Sequence, residues 1–216
     1  CNPNWTPAAQ VALDKDEDGE PMQEAWNYPS VVGMLLYLTM NTRPDIQYAV
    51  SQVARFNHNP KRSHAAAVKT IIRYLKRTEN MGMYVDPNPD DLHLTVFCDA
   101  DFAGLYGRGP ERDETTAKSR TGYIVKLGGL PLIWRSQLQT AIALSTLEAK
   151  YQALSDCLRT VIHTKAMLTE VVNGVGVPGD VSASIGCTVF EDNNGALLLA
   201  NQQRVTSRTK YFYVKW

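Results

Sequence analysis

Residues 95–104 read TVFCDADFAG, an apolar run that ends in Asp99, Ala100 and Asp101. Val, Phe and Cys in succession favour a buried strand, whereas an unpaired carboxylate needs water, a cation or a partner. The stretch therefore predicts a β-strand that delivers Asp99 to its carboxyl end at the start of a metal site. Residues 185–201, IGCTVFEDNNGALLLAN, repeat this grammar. An apolar strand from Cys187 to Phe190 ends at Glu191 and Asp192, and a short helix follows at once.

Between these stretches, TGYIVKLGG followed by LPLIWRS predicts a hairpin turning at Gly128 and Gly129. Strands at 95–102, 122–127 and 131–136 then form an antiparallel meander. Residues 140–171 are predicted helical, with Leu147, Tyr151, Leu154, Leu158 and Ile162 as the apolar stripe and Ser145 or Thr146 as the cap. Glu148, in the first turn beside that stripe, faces the sheet. Strand, meander, helix, strand, helix is an α/β domain, and in such sheets sites gather where strand carboxyl ends meet helix starts.

Upstream, residues 1–27 are rich in Pro, Asp, Glu and Asn around DKDEDGEP and read as a solvated linker or mobile arm. VVGMLLYLTM (31–40) is apolar on nearly every face, a buried helix with Gly33 for close approach. TRPDI leads into a second amphipathic helix carrying Ile46, Ala49, Val50, Val53 and Phe56. A third runs from His64, with Val68, Ile71, Ile72 and Leu75 on its apolar face. Lys61, Arg62, Lys69, Arg73, Lys76 and Arg77 around it form either a solvated face or a phosphate-contacting one. Tyr84, Val85 and Asp86 resemble half of a polymerase Y-x-D-D, but Pro87 replaces the second Asp, and the segment reads as a strand and turn.

Twenty-two basic and twenty-two acidic residues give a formal net charge of zero, so no global field points to nucleic acid or membrane. The hydrophobic fraction of 44% suffices for a packed core, and no run approaches a membrane span. Four widely spaced cysteines without a C-x-x-C favour reduced thiols inside a cell. His58, His64, His93 and His163 lack metal-ligand spacing, and AKSRTG lacks the glycines of a phosphate loop. The carboxylates remain: magnesium prefers a few oxygen ligands from separate elements, and Asp99, Glu148 and Asp192 fit that description. Strand-end Asp residues also cap helices, and residue spacing leaves both readings open.

In order and approximate spacing, SVVGMLLYLTMNTRPDIQYAVSQVARF, KTIIRYLKRTENMGMYV, CDADFAG, AKSRTGYIVKLGG, ALSTLEAKYQALS and EDNNGALLLAN resemble the end of the reverse transcriptase and the ribonuclease H domain of copia-type LTR retrotransposon polyproteins. The resemblance covers nearly the whole chain. It implies a linker or mobile arm at 1–27, a helical connection region at 28–94, and at 95–216 a C-terminally truncated ribonuclease H-like domain, a mixed five-stranded sheet flanked by helices. It implies cleavage of the RNA strand of RNA–DNA hybrids with magnesium, for which manganese can substitute. Asp99, Glu148 and Asp192 match the family's first three metal-binding carboxylates, and Asp101 is a neighbour.

The same resemblance assigns hybrid-backbone contacts to Lys61, Arg62, Lys69, Arg73, Lys76, Arg77, Arg208 and Lys210, the rest of the polyprotein as a partner, and an intracellular location in cytoplasmic virus-like particles and the nucleus. One departure stands out. Tyr213 occupies the place of the family's fourth carboxylate, Thr206 and Tyr211 stand where its histidine is expected, and no acidic residue follows Asp192. An impaired, binding-only remnant, or another nuclease or transposase of the same fold, are the alternatives. The abrupt ends at Cys1 and Trp216 suggest a fragment.

Overall fold

The computed structural model describes residues 5–8, 13–86, 91–107, 114–175 and 185–202. The chain divides into two compact units, one of Cys1–Tyr84 with Leu105–Ala117, the other of Val85–Gly104 with Lys118–Trp216.

The first unit is helical. Helix α1 (Tyr28–Asn41) begins where Asn27 Oδ1 accepts the Ser30 amide at 3.0 Å, with Pro29 in the first turn. Its buried positions, Tyr28, Val32, Leu35 and Thr39, form a single stripe. Within this unit Met34, Tyr37 and Met40 are exposed, and Gly33 meets open space rather than a neighbour. The all-round apolar sequence predicts a fully buried helix, yet one stripe suffices for packing here, and Gly33 serves no close approach.

After a 3-10 turn at Pro44–Ile46 come α2 (Gln47–Ala54) and α3 (Arg62–Arg77). Val32, Leu35, Ile46, Val50, Val53, Val68 and Ile71 make the core. In α3, Tyr74 is buried and Ile72 is exposed, because the helix turns its His64, Val68, Ile71 and Tyr74 side inward.

Two polar devices fasten this unit. Arg43 is paired through both nitrogens with Asp45 (3.0 and 2.8 Å), and also donates to the Thr78 carbonyl (3.1 Å) and hydroxyl (2.6 Å). Tyr74 donates to the same carboxylate at 2.9 Å. The turn before α2 is thereby tied to the end of α3. Burial pushes the Asp45 carboxyl up, but hydrogen bonds from Arg43 and Tyr74 outweigh it and leave its pKa lowered. His64 is the second device: it accepts the Lys61 amide on Nδ1 (2.9 Å), lies 2.7 Å from the Asp14 carbonyl through Nε2, and stacks on Phe56. In the third position of α3, it does what Glu or Gln does in a capping box. Accepting on Nδ1 requires the neutral ring, and burial is the main reason its pKa is lowered.

The acidic segment expected as a solvated arm is tied to α3. Pro21 bridges Lys61, the Met22 amide reaches the Pro60 carbonyl at 3.2 Å, and the Arg62 amide reaches the Glu20 carbonyl at 2.9 Å. Leu13, Met22 and Trp26, scattered among its charges, pack on the core. Residues 81–86 pair with no strand.

The second unit is α/β. Its sheet has the order β3-β2-β1-β4, with β1 (Leu94–Asp101), β2 (Arg120–Leu127), β3 (Leu130–Leu138) and β4 (Cys187–Phe190). The meander is antiparallel and β4 joins β1 in parallel, so the sheet is mixed. Among the described residues it has four strands rather than the five implied by the resemblance. Between β3 and β4 the described residues form helix from Thr146 to Val175. Gly128 and Gly129, at φ 53° and 85°, form the two-residue hairpin turn that a right-handed twist favours.

Helix α4 (Thr146–Val175) covers one face of the sheet, and α5 (Asn194–Asn201) follows β4. Ala149, Ala153, Cys157 and Val161 lie on the sheet beside Val96, Cys98 and Val125. The predicted stripe is therefore rotated: Ile162 is exposed, and Leu147 lies against Gly195 of α5, where a Cβ would approach it to 2.7 Å. Small residues win the inner face because they let the helix axis approach the sheet closely. Cys98, Cys157 and Cys187 are free thiols.

Replacing Arg43 by Ala strands a half-buried carboxylate and the Thr78 carbonyl, and should cost about 2 kcal/mol in denaturant titration. Acidification should weaken the same unit in two steps. A depressed folded pKa means stability present above the unfolded value and lost as the pH falls: below about 6.5 for His64, and below about 3.9 for Asp45. Hydrogen exchange of α3 amides, corrected for intrinsic rates, should show the first step in wild type and its loss in His64→Gln.

Candidate metal centre

Strand register creates the site. Leu94 pairs with Cys187, Thr95 with Thr188, Val96 with Val189 and Phe97 with Phe190. The two Phe rings stack at 5.2 Å. Asp99 stands two residues further along β1 and Asp192 two residues past the end of β4, and their carboxylate oxygens come within 4.8 Å of each other. Both side chains are largely exposed, at 71% and 75%.

Between them lies Lys150, from the second turn of α4. Its Nζ donates to Asp99 Oδ1 at 2.6 Å and to Asp192 Oδ1, and sits 3.8 Å from Glu191 Oε1. The lysine side chain is only 11% exposed. Burial pulls its pKa down, but hydrogen bonds to Asp192 and Asp99 and the nearby negative charge outweigh this and raise it. Lys150 in turn holds the Asp192 carboxyl below the usual range.

Glu191 points inward, its side chain fully buried. Oε1 accepts the Asn193 amide at 3.2 Å, while Oε2 has no hydrogen-bond partner among the described residues. Burial is the main cause that pushes this carboxyl up. One oxygen from each of Asp99, Glu191 and Asp192 can be chosen so that all lie within 4.8 Å of one another. Asn193, next in sequence, caps α5 by accepting the Ala196 amide at 2.9 Å. The capping alternative for Asp192 is thereby taken by its neighbour.

Glu148 is 2% exposed and belongs to the start of α4. Its amide donates to Ser145 Oγ at 3.1 Å, and its Oε2 accepts the Leu144 amide at 2.8 Å. Ser145 is thus the cap, and Glu148 closes the turn. Of the three expected ligands, Asp99 and Asp192 are brought together, and Glu148 stands outside the group formed by Asp99, Glu191 and Asp192. Asp101 is exposed, its carboxylate against Gly104, where a Cβ would come within 2.0 Å of it. Tyr213, Arg208, Lys210, Thr206 and Tyr211 lie outside the described residues.

Sequence reasoning missed Lys150 and Glu191. One signal was present: FCD at 97–99 and FED at 190–192 align under a single parallel register, which makes the third residues neighbours and favours a cation between them. Nothing in α4 singled out Lys150 beforehand.

On the helical unit, Arg62 pairs with Glu20 at 2.9 Å and Lys69 with Glu24 at 2.5 Å. Lys61 donates to the Gly19 carbonyl at 3.1 Å, and the Arg77 guanidinium lies over Trp5. Arg73 and Lys76 are exposed, with no ion-pair partner among the described residues. The acidic segment therefore already occupies part of the basic face.

An α/β domain with carboxylates at the carboxyl ends of adjacent parallel strands is the class these observations define. The chain belongs to the copia-type Pol polyproteins of retrotransposons. It is 31% identical over 216 residues to the retrovirus-related Pol polyprotein from transposon RE1 of Arabidopsis thaliana, covering all of this chain and 14% of that protein. To the corresponding protein from transposon TNT 1-94 of Nicotiana tabacum it is 36% identical over 222 residues, covering all of this chain and 15% of that protein. The secreted RxLR effector protein 161 of Plasmopara viticola is 35% identical over 135 residues, 62% of this chain and 89% of that protein. The chain thus spans about a seventh of the Pol polyproteins it matches. No family model and no solved structure matches it. No helix among the described residues is long and apolar enough to cross a membrane.

Ser145→Ala should cost about 1 kcal/mol by removing the α4 cap, and Glu148→Ala about 1–2 kcal/mol by stranding the Leu144 amide, both read by thermal melting.

Proposed function

We propose that residues 95–216 are the ribonuclease H region of a retrotransposon polyprotein, and that this region cleaves the RNA strand of RNA–DNA hybrids with magnesium or manganese. The observation that carries this reading is the convergence of Asp99 and Asp192 on one cation, the Lys150 ammonium. The spot stabilises positive charge with hard oxygen donors from Asp99, Asp192 and buried Glu191. This donor set suits magnesium.

Asp99 and Asp192 would hold the ion; Glu148, the third ligand that the family resemblance assigns, lies outside their group with Oε2 on the Leu144 amide and would have to exchange that bond to reach it. When bound, magnesium would supply charge for the phosphate and a more acidic water. The chain's own part is to fix the carboxylates. Asp99 is set by the β1–β2 ladder, Asp192 by the β4 register and the Asn193 cap, and Glu148 by the first turn of α4. Buried Glu191 adds negative potential behind them.

In this reading the helical unit grips the hybrid backbone through Lys61, Arg62, Lys69, Arg73, Lys76 and Arg77, without reading sequence. Arg208 and Lys210 would extend that grip. The remainder of the polyprotein is the natural partner, and the intracellular setting of virus-like particles follows from the same reading.

A second reading, a remnant that binds hybrid without cutting it, draws on one observation: a lysine stands among the carboxylates. Tyr213 in the fourth position points the same way. Incubation of the full chain with end-labelled hybrid and either ion separates the two. Slow magnesium- or manganese-dependent cleavage, abolished by Glu148→Gln while binding persists, is the expected result. Binding without cleavage, even in Tyr213→Asp, would leave only the remnant.

Neutralising Glu20 and Glu24 to Gln should tighten hybrid binding several-fold and steepen its salt dependence by about one to two released ions, since Arg62 and Lys69 become available to phosphate. Fluorescence anisotropy over a salt series measures both.

A further inference from the structure

Two like charges at adjacent strand ends repel each other, and the fold brings the remedy from beneath. Ala149 and Ala153 are fully buried against the sheet and pin the second turn of α4. The Lys150 side chain, only 11% exposed, brings its ammonium to Asp99 and Asp192 beyond the end of β4. Its ammonium contacts the same three carboxylates whose oxygens gather within 4.8 Å: Asp99, Asp192 and Glu191. The Lys150 side chain is 11% exposed, while those of Asp99 and Asp192 remain largely exposed.

An ion bound to the inner oxygens of Asp99 and Asp192 at roughly 2.1 Å would lie within about 5 Å of Nζ, close enough for strong repulsion in a half-buried setting. Buried Glu191 belongs to the same cluster, with its Oε1 3.8 Å from Nζ, so the ammonium is faced by three carboxylates rather than two.

We propose that Lys150 is the resident cation of this site: its ammonium holds the ground between Asp99 and Asp192 that a divalent ion needs, so metal binds only by displacing it. The lysine thereby sets the metal affinity well below what the carboxylates alone would give. It is a positioning and competing residue, not a catalytic one. This inference rests on the metal site of the proposed function and specifies what controls it.

The test is manganese binding by the full chain, followed through the paramagnetic resonance signal of the free ion, in wild type, Lys150→Met, Lys150→Arg and the double variant Lys150→Met/Asp192→Asn. Lys150→Met should bind at least about tenfold more tightly than wild type, a gain of about 1.4 kcal/mol. Lys150→Arg, which keeps the charge, should bind as weakly as wild type, and the double variant should lose the gain. Excess magnesium should raise the melting temperature of Lys150→Met more than that of wild type, because a ligand stabilises the state that binds it.

Equal manganese affinity in wild type and Lys150→Met overturns the proposal while leaving the metal site standing. A gain that survives Asp192→Asn overturns it too, because the ion is then elsewhere. No binding by any variant removes both the proposal and the metal reading. If Lys150→Met does not give the wild-type circular dichroism spectrum, Lys150→Gln is read by the same criteria.

Discussion

Parallel pairing of β1 with β4 is the constraint on which the rest of the second unit depends. With Phe97 opposite Phe190, the chain leaves the sheet with Asp192 beside Asp99. Two carboxylates held this close repel each other, and a cation between them relieves that repulsion. Lys150 supplies that charge from the helix packed beneath the sheet. The small residues of α4 matter for the same reason, since they bring the helix close enough for a lysine stem to reach the strand ends.

The first unit shows the same logic in another form. Arg43 and Asp45, a single turn apart, would be a weak surface pair if exposed. Docked under Thr78 and Tyr74, they tie two segments together. His64 links a helix start to the acidic segment while remaining neutral. Each device satisfies buried polar groups, whose neglect costs more than their pairing gains.

A lysine among carboxylates also sharpens what the centre is chemically. Oxygen donors, a buried carboxylate and a displaceable cation make a site tuned for positive charge rather than for acid–base work. The family membership sets this within a polyprotein, of which the chain spans a small part.

Much was legible in the sequence because it is local. The strand ending at Asp99, the Gly128-Gly129 turn, the α4 cap offered by Ser145 or Thr146 and taken by Ser145, and the strand-to-helix step at Asp192 are each encoded within a few residues, though the strand expected to be buried leaves Phe97 exposed. What only the tertiary structure decided is relational. The side of α4 that meets the sheet, the fate of the acidic segment on α3, and the lysine that answers Asp99 and Asp192 all depend on residues distant in sequence. Side-chain identity determined that two carboxylates would end two strands. Register determined that they would be neighbours, and electrostatic repulsion between neighbours is what gave Lys150 its place.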